Sequence, residues 1–141
     1  MKILILCTGN SARSQMAQGF LKSFDKRLKV FSAGTDPAAR VNPMAVDVMK
    51  RAGIDISGHL PVNVDKYLDE EWDYVITVCD NANETCPVFP GKVRHRLHIG
   101  FDDPAGIKGS YVEVLNEFYR VRNEIRDEFF RLYETQLKNK L

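Results

Sequence analysis

The chain opens on Lys2-Ile3-Leu4-Ile5-Leu6 and runs directly into Cys7-Thr8-Gly9-Asn10-Ser11-Ala12-Arg13-Ser14. Four apolar residues bounded by a Gly/Asn/Ser turn read as a buried strand of a parallel sheet. A helical pattern follows, from Ser14 to about Phe24, with Ser14 as a candidate cap. A thiol at the carboxyl end of a strand and a guanidinium at a helix entrance suit an oxyanion. Successive backbone N–H groups of such a loop converge into an anion nest, and the helix N-terminus adds its dipole and unpaired donors. Arg13 offers a planar fork for two oxygens of a tetrahedral anion. The same positive field favours the thiolate of Cys7. Gly9 and Asn10 are residue types that tolerate φ > 0. A lone Cys after a strand is usually a small buried hydrophobe, and Cys-x5-Arg alone is weak. Cys-x5-Arg-Ser between an apolar strand and a helix is specific for a catalytic anion-binding loop.

The 141 residues fit one domain, 1–141, and 44% hydrophobic with 28% charged residues supports a packed core. A net charge of +1 points to neither nucleic acid nor a membrane surface. No apolar run approaches membrane-spanning length, and the four apolar residues after Lys2 are too few for a signal-peptide core. A cytoplasmic location is therefore expected, where thiols stay reduced. Three cysteines in such a chain suggest catalysis, redox chemistry or metal binding rather than a structural framework.

Met16, Phe20 and Phe24 share one face of the first helix. Val30 to Gly34 reads as a second strand. Asn42-Pro43 starts a helix with Pro43 at its first position, Ala45, Val48, Met49 and Ala52 as its apolar face, and Gly53 at its end. Residues 54–61 form an irregular connection, with His59 in a surface or structural hydrogen-bonding role. Val64 to Trp72 suggests a short helix. Tyr74 to Val78 is the clearest β-branched run and reads as a central strand, with Cys79 directly at its carboxyl end. A polar stretch carrying Cys86 follows, then a fourth strand over Lys92 to Ile99. Asp102-Asp103-Pro104 lies in the next loop. Tyr111 to about Leu137 forms one amphipathic helix whose inward row is Leu115, Phe118, Arg122, Ile125, Phe129 and Leu132, with Arg122 snorkelling. Glu113, Glu117, Arg120, Glu124 and Asp127 form its solvated face.

Strands alternating with helices imply an α/β fold, a four-stranded parallel sheet with helices on both faces. Ligands bind outside the carboxyl ends of such strands. Cys7, Cys79 and Asp103 all reach that edge from separate segments. A thiolate in an oxyanion nest suggests attack on a tetrahedral centre, and Asp103, held by Pro104, suits a proton donor to the leaving oxygen. The plainer reading of Asp102 and Asp103 is a turn or cap. Hydrolysis of a phosphate ester needs water, not further thiols. An oxyanion reduction that consumes two electrons needs a dithiol, which Cys79 and Cys86 supply.

These pieces together resemble the thioredoxin-coupled arsenate reductases, which share their flavodoxin-like three-layer fold with the low-molecular-weight protein tyrosine phosphatases. The resemblance rests on Cys7 through Ala17, Phe31-Ser32-Ala33-Gly34, Val41-Asn42-Pro43, Asp55-Ile56-Ser57, Val78-Cys79, Cys86-Pro87 and Gly100 through Ala105, and reaches about residue 126. It implies that arsenate sits in the loop Thr8, Gly9, Asn10, Ser11, Ala12, Arg13 and Ser14 above Cys7. Cys7 attacks arsenic and Asp103 protonates the departing hydroxide. Cys79 then attacks Cys7 with release of arsenite, and Cys86 attacks Cys79. The segment around residues 80–95 rearranges to expose the Cys79–Cys86 disulfide to thioredoxin, the external reductant. Asn10 is expected to shape the loop and Ser14 to stabilise the Cys7 thiolate. No bound cofactor is implied, phosphate and sulfate are expected analogues of arsenate, and nothing demands more than a monomer.

Two departures stand out. Ala12 occupies a position where some relatives carry another cysteine. Gln18 stands where some members place a glutamate that helps Asn10, Ser32 and an aspartate to bind potassium, and the aspartate position falls near Val62 or Asn63. Without those charges no monovalent cation site is expected. Two other readings stay open. A phosphatase using a Cys7 phosphocysteine needs only Cys7, Arg13 and Asp103, but Ala105-Gly106 replaces the aromatic residues that line a phosphotyrosine pocket. A zinc module built on Cys79, Cys86, His95 and His98 fits no common ligand spacing, and His95 and His98 would face opposite sides of a strand.

Overall fold

In a computed structural model the described residues are 1–80, 82, 89 and 91–141. The strands are β1 (Lys2–Cys7), β2 (Lys29–Gly34), β3 (Trp72–Thr77) and β4 (Val93–His98). All pair in parallel, in the order β2-β1-β3-β4. The helices are α1 (Arg13–Phe24), α2 (Pro43–Arg51) and α3 (Tyr111–Leu132). Ile3, Leu4, Ile5 and Leu6 are fully buried, as are Tyr74 and Ile76. Because neighbouring residues of a strand face opposite sides, unbroken burial means that both faces of the central strands are covered. Cys86 lies outside the described residues.

From β1 the chain turns to β2 on one side and returns to β3 on the other. The order of strands therefore reverses between β1 and β3, and such a reversal opens a crevice at the carboxyl ends. Cys7 is the last residue of β1, and Cys79 follows β3 by two residues. The topology alone thus delivers two sulfurs to one crevice.

Several local expectations need correction. Ser14 does not cap α1: the cap position is Ala12, without a side-chain bond, and Ser14 is fully buried inside the helix. The expected helix over Val64 to Trp72 shrinks to a single 3-10 turn, Val64–Tyr67, capped by Asn63. The strand begins at Trp72 instead of Tyr74 because Trp72 pairs with Val93 and packs edge-on against Phe31 and Tyr67. Aromatic packing outweighs the helical spacing there. The last helix is α-helical only to Leu132 and continues as a π turn, Tyr133–Leu137. Its inward row is Phe118, Val121, Ile125, Phe129 and Leu132, with Leu115 only half-buried. Arg122 donates to the Val48 carbonyl at 2.9 Å instead of reaching water alone. α2 starts and ends as expected, with Pro43 inside its start, Asn42 accepting from the Met44 N–H, and Gly53 at φ +82 just past its end, but Ala52 is an exposed cap residue and the buried face is Ala45, Val48 and Met49 alone.

Candidate active site

The loop from Cys7 to Arg13 is shaped from outside. The carbonyls of Cys7, Thr8, Gly9 and Ser11 accept from the N–H groups of Thr35, Asp36, Ala38 and Asn42 at 2.8–3.2 Å. The Asn10 carbonyl accepts from Gln15 Nε2 at 3.1 Å, and the Ala12 carbonyl from the Met16 N–H at 2.9 Å. In a trans peptide the C=O of one residue and the N–H of the next point in opposite directions. Each carbonyl turned outward therefore turns the following N–H, from Thr8 to Arg13, toward the centre of the loop. This is an anion nest continued by the N-terminus of α1. Gly34 lets the outer segment come this close, since a Cβ there would lie 2.5 Å from the Thr8 carbonyl oxygen.

Asn10 is the pivot. Among the described residues it is the non-glycine residue with positive φ, at 51°, and it is fully buried. Its Nδ2 donates to Ser14 Oγ at 2.8 Å and Ser32 Oγ at 2.9 Å, and its Oδ1 accepts from the Val62 N–H at 2.9 Å. Gly9, expected to share this backbone role, has no positive φ. Gln15 extends the network: its Nε2 also donates to the Leu60 carbonyl at 3.3 Å, and its Oε1 accepts from His59 Nδ1 at 2.9 Å. His59 is thus structural, and burial keeps its pKa below the ordinary histidine range. The sequence marks Gln15 only by its place in the run from Cys7 to Ala17, and its burial and network appear only in the fold.

Gln18 is the residue at which the sequence departs from the expected cation-binding set. Ser32 Oγ donates to Gln18 Oε1 at 2.6 Å, and Gln18 Nε2 donates to the Val30 carbonyl at 3.3 Å. A neutral amide completes this network with hydrogen bonds.

Arg13 lies at the mouth of the loop with only 14% of its side chain exposed. Its Nη1 donates to the Phe101 carbonyl at 3.0 Å, and its Nη2 stands 3.8 Å from Asp103 Oδ2. The Phe101 N–H donates in turn to the Val78 carbonyl at 3.1 Å, so one residue ties Arg13 to the strand end before Cys79. Asp103 caps the 3-10 turn Pro104–Gly106, where its Oδ1 accepts from the Ala105 N–H at 3.0 Å. Its capping and site positions coexist. Asp102 instead pairs with Arg120 at 3.1 Å on the surface.

The two thiols share the crevice. Cys7 and Cys79 are both free and both 3% exposed, and each is the strongest electrostatic influence on the other. Cys79 Sγ also lies 3.3 Å from Thr8 Oγ1 and accepts from the Ala82 N–H at 3.4 Å. The neighbouring Cys7 thiol first, then these contacts and the Arg13 charge, lower the Cys79 thiol to about 5. The Cys79 contact and burial push Cys7 well above the ordinary thiol range, although Arg13 and the Thr8 N–H oppose this. The two sulfurs share one negative charge, and Arg13 and the Thr8 N–H favour it on Cys7 while burial and the Cys79 thiol oppose it there.

Cys7, the loop Thr8–Ser14, Arg13, Cys79 and Asp103 are therefore together at one edge of the sheet. His95 and His98 do lie on opposite faces of β4: His95 stacks on Tyr74 at 4.7 Å, and His98 bonds Thr77. No cluster of three or more His, Cys, Asp or Glu residues suited to a metal occurs among the described residues.

The family described as low molecular weight phosphotyrosine protein phosphatase matches residues 2–141. The chain belongs to that family. Within it, the chain is 45% identical over 125 residues to arsenate reductase 2 of Staphylococcus haemolyticus, covering 88% of this chain and 89% of that one. An arsenate reductase solved in a phosphate-binding state superposes with a TM-score of 0.79 at 29% identity, covering 94% of this chain and 96% of that one. A thioredoxin-dependent arsenate reductase of Corynebacterium glutamicum superposes at 0.64 with 26% identity, covering 96% of this chain and 63% of that one. Among the described residues, no helix is long and apolar enough to cross a membrane.

Proposed function

We propose that the chain is an arsenate reductase that works through a thiol–disulfide relay and is regenerated by thioredoxin. The observation that carries this reading is a second buried thiol at the floor of the oxyanion nest, with Cys79 Sγ 3.3 Å from Thr8 Oγ1 of the loop and its pKa lowered chiefly by Cys7. The named reductases at this level of identity support the substrate, and the thioredoxin-dependent relative supports the reductant.

Arsenate binds with its oxygens on the loop N–H groups and Arg13. The Cys7 thiolate attacks arsenic while Cys79 holds the proton of the pair, and Asp103 protonates the departing oxygen, which leaves as water. Cys79 then gives its proton to an arsenic-bound oxygen and attacks the Cys7 sulfur as a thiolate. The S–S bond forms, the S–As bond breaks, and its electron pair stays on arsenic, which falls from As(V) to As(III) and leaves as arsenite. Two thiols have supplied the two electrons. Cys86 attacks Cys79 next, freeing Cys7 and leaving a Cys79–Cys86 disulfide that the thioredoxin dithiol reduces. No bound cofactor enters the scheme.

Quenched single turnover tests it. Arsenate added without reductant should yield about one arsenite per chain and a protein lighter by two hydrogens. Cys79→Ser should yield none. Cys86→Ser should complete one turnover and stall at the Cys7–Cys79 disulfide, and repeated turnover by that variant with thioredoxin refutes the relay. Phosphate monoester hydrolysis is the second reading. It rests on Cys7, Arg13 and Asp103 alone, and the reductase reading expects it to be feeble because Ala105-Gly106 leaves the rim without aromatic walls.

A further inference from the structure

β3 and β4 end in register at Thr77 and His98. The imidazole of His98 spans the two chain segments that follow. Its Nδ1 lies 2.8 Å from Thr77 Oγ1, and its Nε2 lies 3.1 Å from Asp80 Oδ1. A carboxylate only accepts, so Asp80 fixes the proton of the ring on Nε2. Thr77 is buried, and Asp80 is the residue directly after Cys79. The bridge therefore joins the fixed end of the sheet to the far side of Cys79. Gly100 makes room for it: a Cβ there would sit 3.0 Å from His98 Nε2 and 3.5 Å from Asp80 Oδ1. The Ile99 N–H donates to the Thr77 carbonyl at 2.9 Å, which holds the base of the strut.

We propose that His98, bridging Thr77 and Asp80, is a positioning residue that fixes the turn presenting the Cys79 sulfur to Cys7. The assignment rests on the reductase reading. Displacement at sulfur needs the attacking thiolate in line with the bond that breaks, so orientation of Cys79 sets the rate of the second step. The first step uses Cys7, Arg13 and Asp103, none of which His98 touches. His98 thus acts on disulfide formation and arsenite release, not on attack by Cys7.

The experiment is rapid-quench single turnover with arsenate, run beside hydrolysis of para-nitrophenyl phosphate. Loss of one hydrogen bond to a charged partner predicts arsenite release about three- to tenfold slower in His98→Ala, with hydrolysis unchanged. His98→Gln, which keeps a donor toward Asp80, should recover most of the rate. Asp80→Ala breaks the same bridge from an exposed position and should reproduce the loss should His98→Ala fold poorly. Unchanged arsenite release in His98→Ala or Asp80→Ala overturns the proposal, as does an equal loss of hydrolysis or no recovery in His98→Gln. If the unaltered protein makes no arsenite, the reductase reading falls by itself. The positioning role is then read from Cys7–Cys79 disulfide formation in a Cys86→Ser background. There hydrogen peroxide oxidises one thiolate to a sulfenic acid, which condenses with the other thiol and releases water. Slower disulfide formation in His98→Ala supports the role, and an unchanged rate overturns it.

Discussion

Replacing Asn10 separates the two services this residue performs. Asn10→Ala strands the Val62 N–H, which now reaches Asn10 Oδ1 at 2.9 Å, and removes the donor shared by Ser14 and Ser32. Three lost bonds with buried or half-buried partners cost about 3 kcal/mol. A Cβ held at φ 51° without the local polar compensation of an asparagine adds roughly 1 kcal/mol. The expected loss is about 4 kcal/mol for Asn10→Ala, a fall in melting temperature on the order of 10 °C. Asn10→Gly loses the same bonds without the backbone term, so it should be about 1 kcal/mol milder. Once the network is cut, the N–H groups of the loop lose their aim. Hydrolysis of para-nitrophenyl phosphate should then fall about 100-fold in kcat/KM in both variants. Chemical denaturation and steady-state hydrolysis measure the two effects. A loss under about 1 kcal/mol, or a destabilised protein that hydrolyses normally, would refute the argument that Asn10 shapes the nest.

The remaining predictions concern the thiols, the outer segment and the cation. With Cys79 lowered to about 5, its alkylation by iodoacetamide should stay nearly constant from pH 8 to about pH 6 and fall only near pH 5. In Cys7→Ala the main interaction that lowers Cys79 is removed, so the midpoint should rise. An ordinary thiol midpoint in the unaltered protein would contradict the shared charge. Gly34→Ala places a Cβ 2.5 Å from the Thr8 carbonyl and should abolish protection of Cys7 by phosphate against alkylation, which peptide mapping reads. Potassium in place of sodium should leave melting temperature and turnover unchanged, because the Gln18 amide already links Ser32 to the Val30 carbonyl. A potassium-dependent rise in either would show that the amide yields to a cation.

Much of the site was legible because its parts are local. A strand, a turn and a helix entrance lie within Lys2 to Ser14, and the periodicities of β1 and β3 placed Cys7 and Cys79 at one edge before any distance was known. Asp103 was legible from its proline neighbour. The scaffold behind the loop was not. The donors that turn its carbonyls outward come from Thr35, Asp36, Ala38 and Asn42, an irregular stretch whose backbone roles leave no side-chain signature. The influence of Cys79 on Cys7 was hidden for a related reason, because the loop motif describes Cys7 while its neighbouring thiol arrives from another strand. Ser14 misled because serine before an apolar helix face usually caps, whereas here it serves Asn10. His98 appeared only as an unconvincing zinc ligand, since neighbouring strand ends bring it to Thr77 across 21 positions of sequence.

The central claim is that Cys79 is the second thiol of a reduction, not a bystander of a hydrolase. Arsenate-dependent NADPH oxidation coupled through thioredoxin and thioredoxin reductase tests it most directly, with para-nitrophenyl phosphate hydrolysis in parallel. The account predicts steady oxidation that vanishes in Cys79→Ser, while the feeble hydrolysis survives in that variant. Brisk hydrolysis with no arsenate-dependent oxidation, or oxidation undiminished in Cys79→Ser, would contradict it.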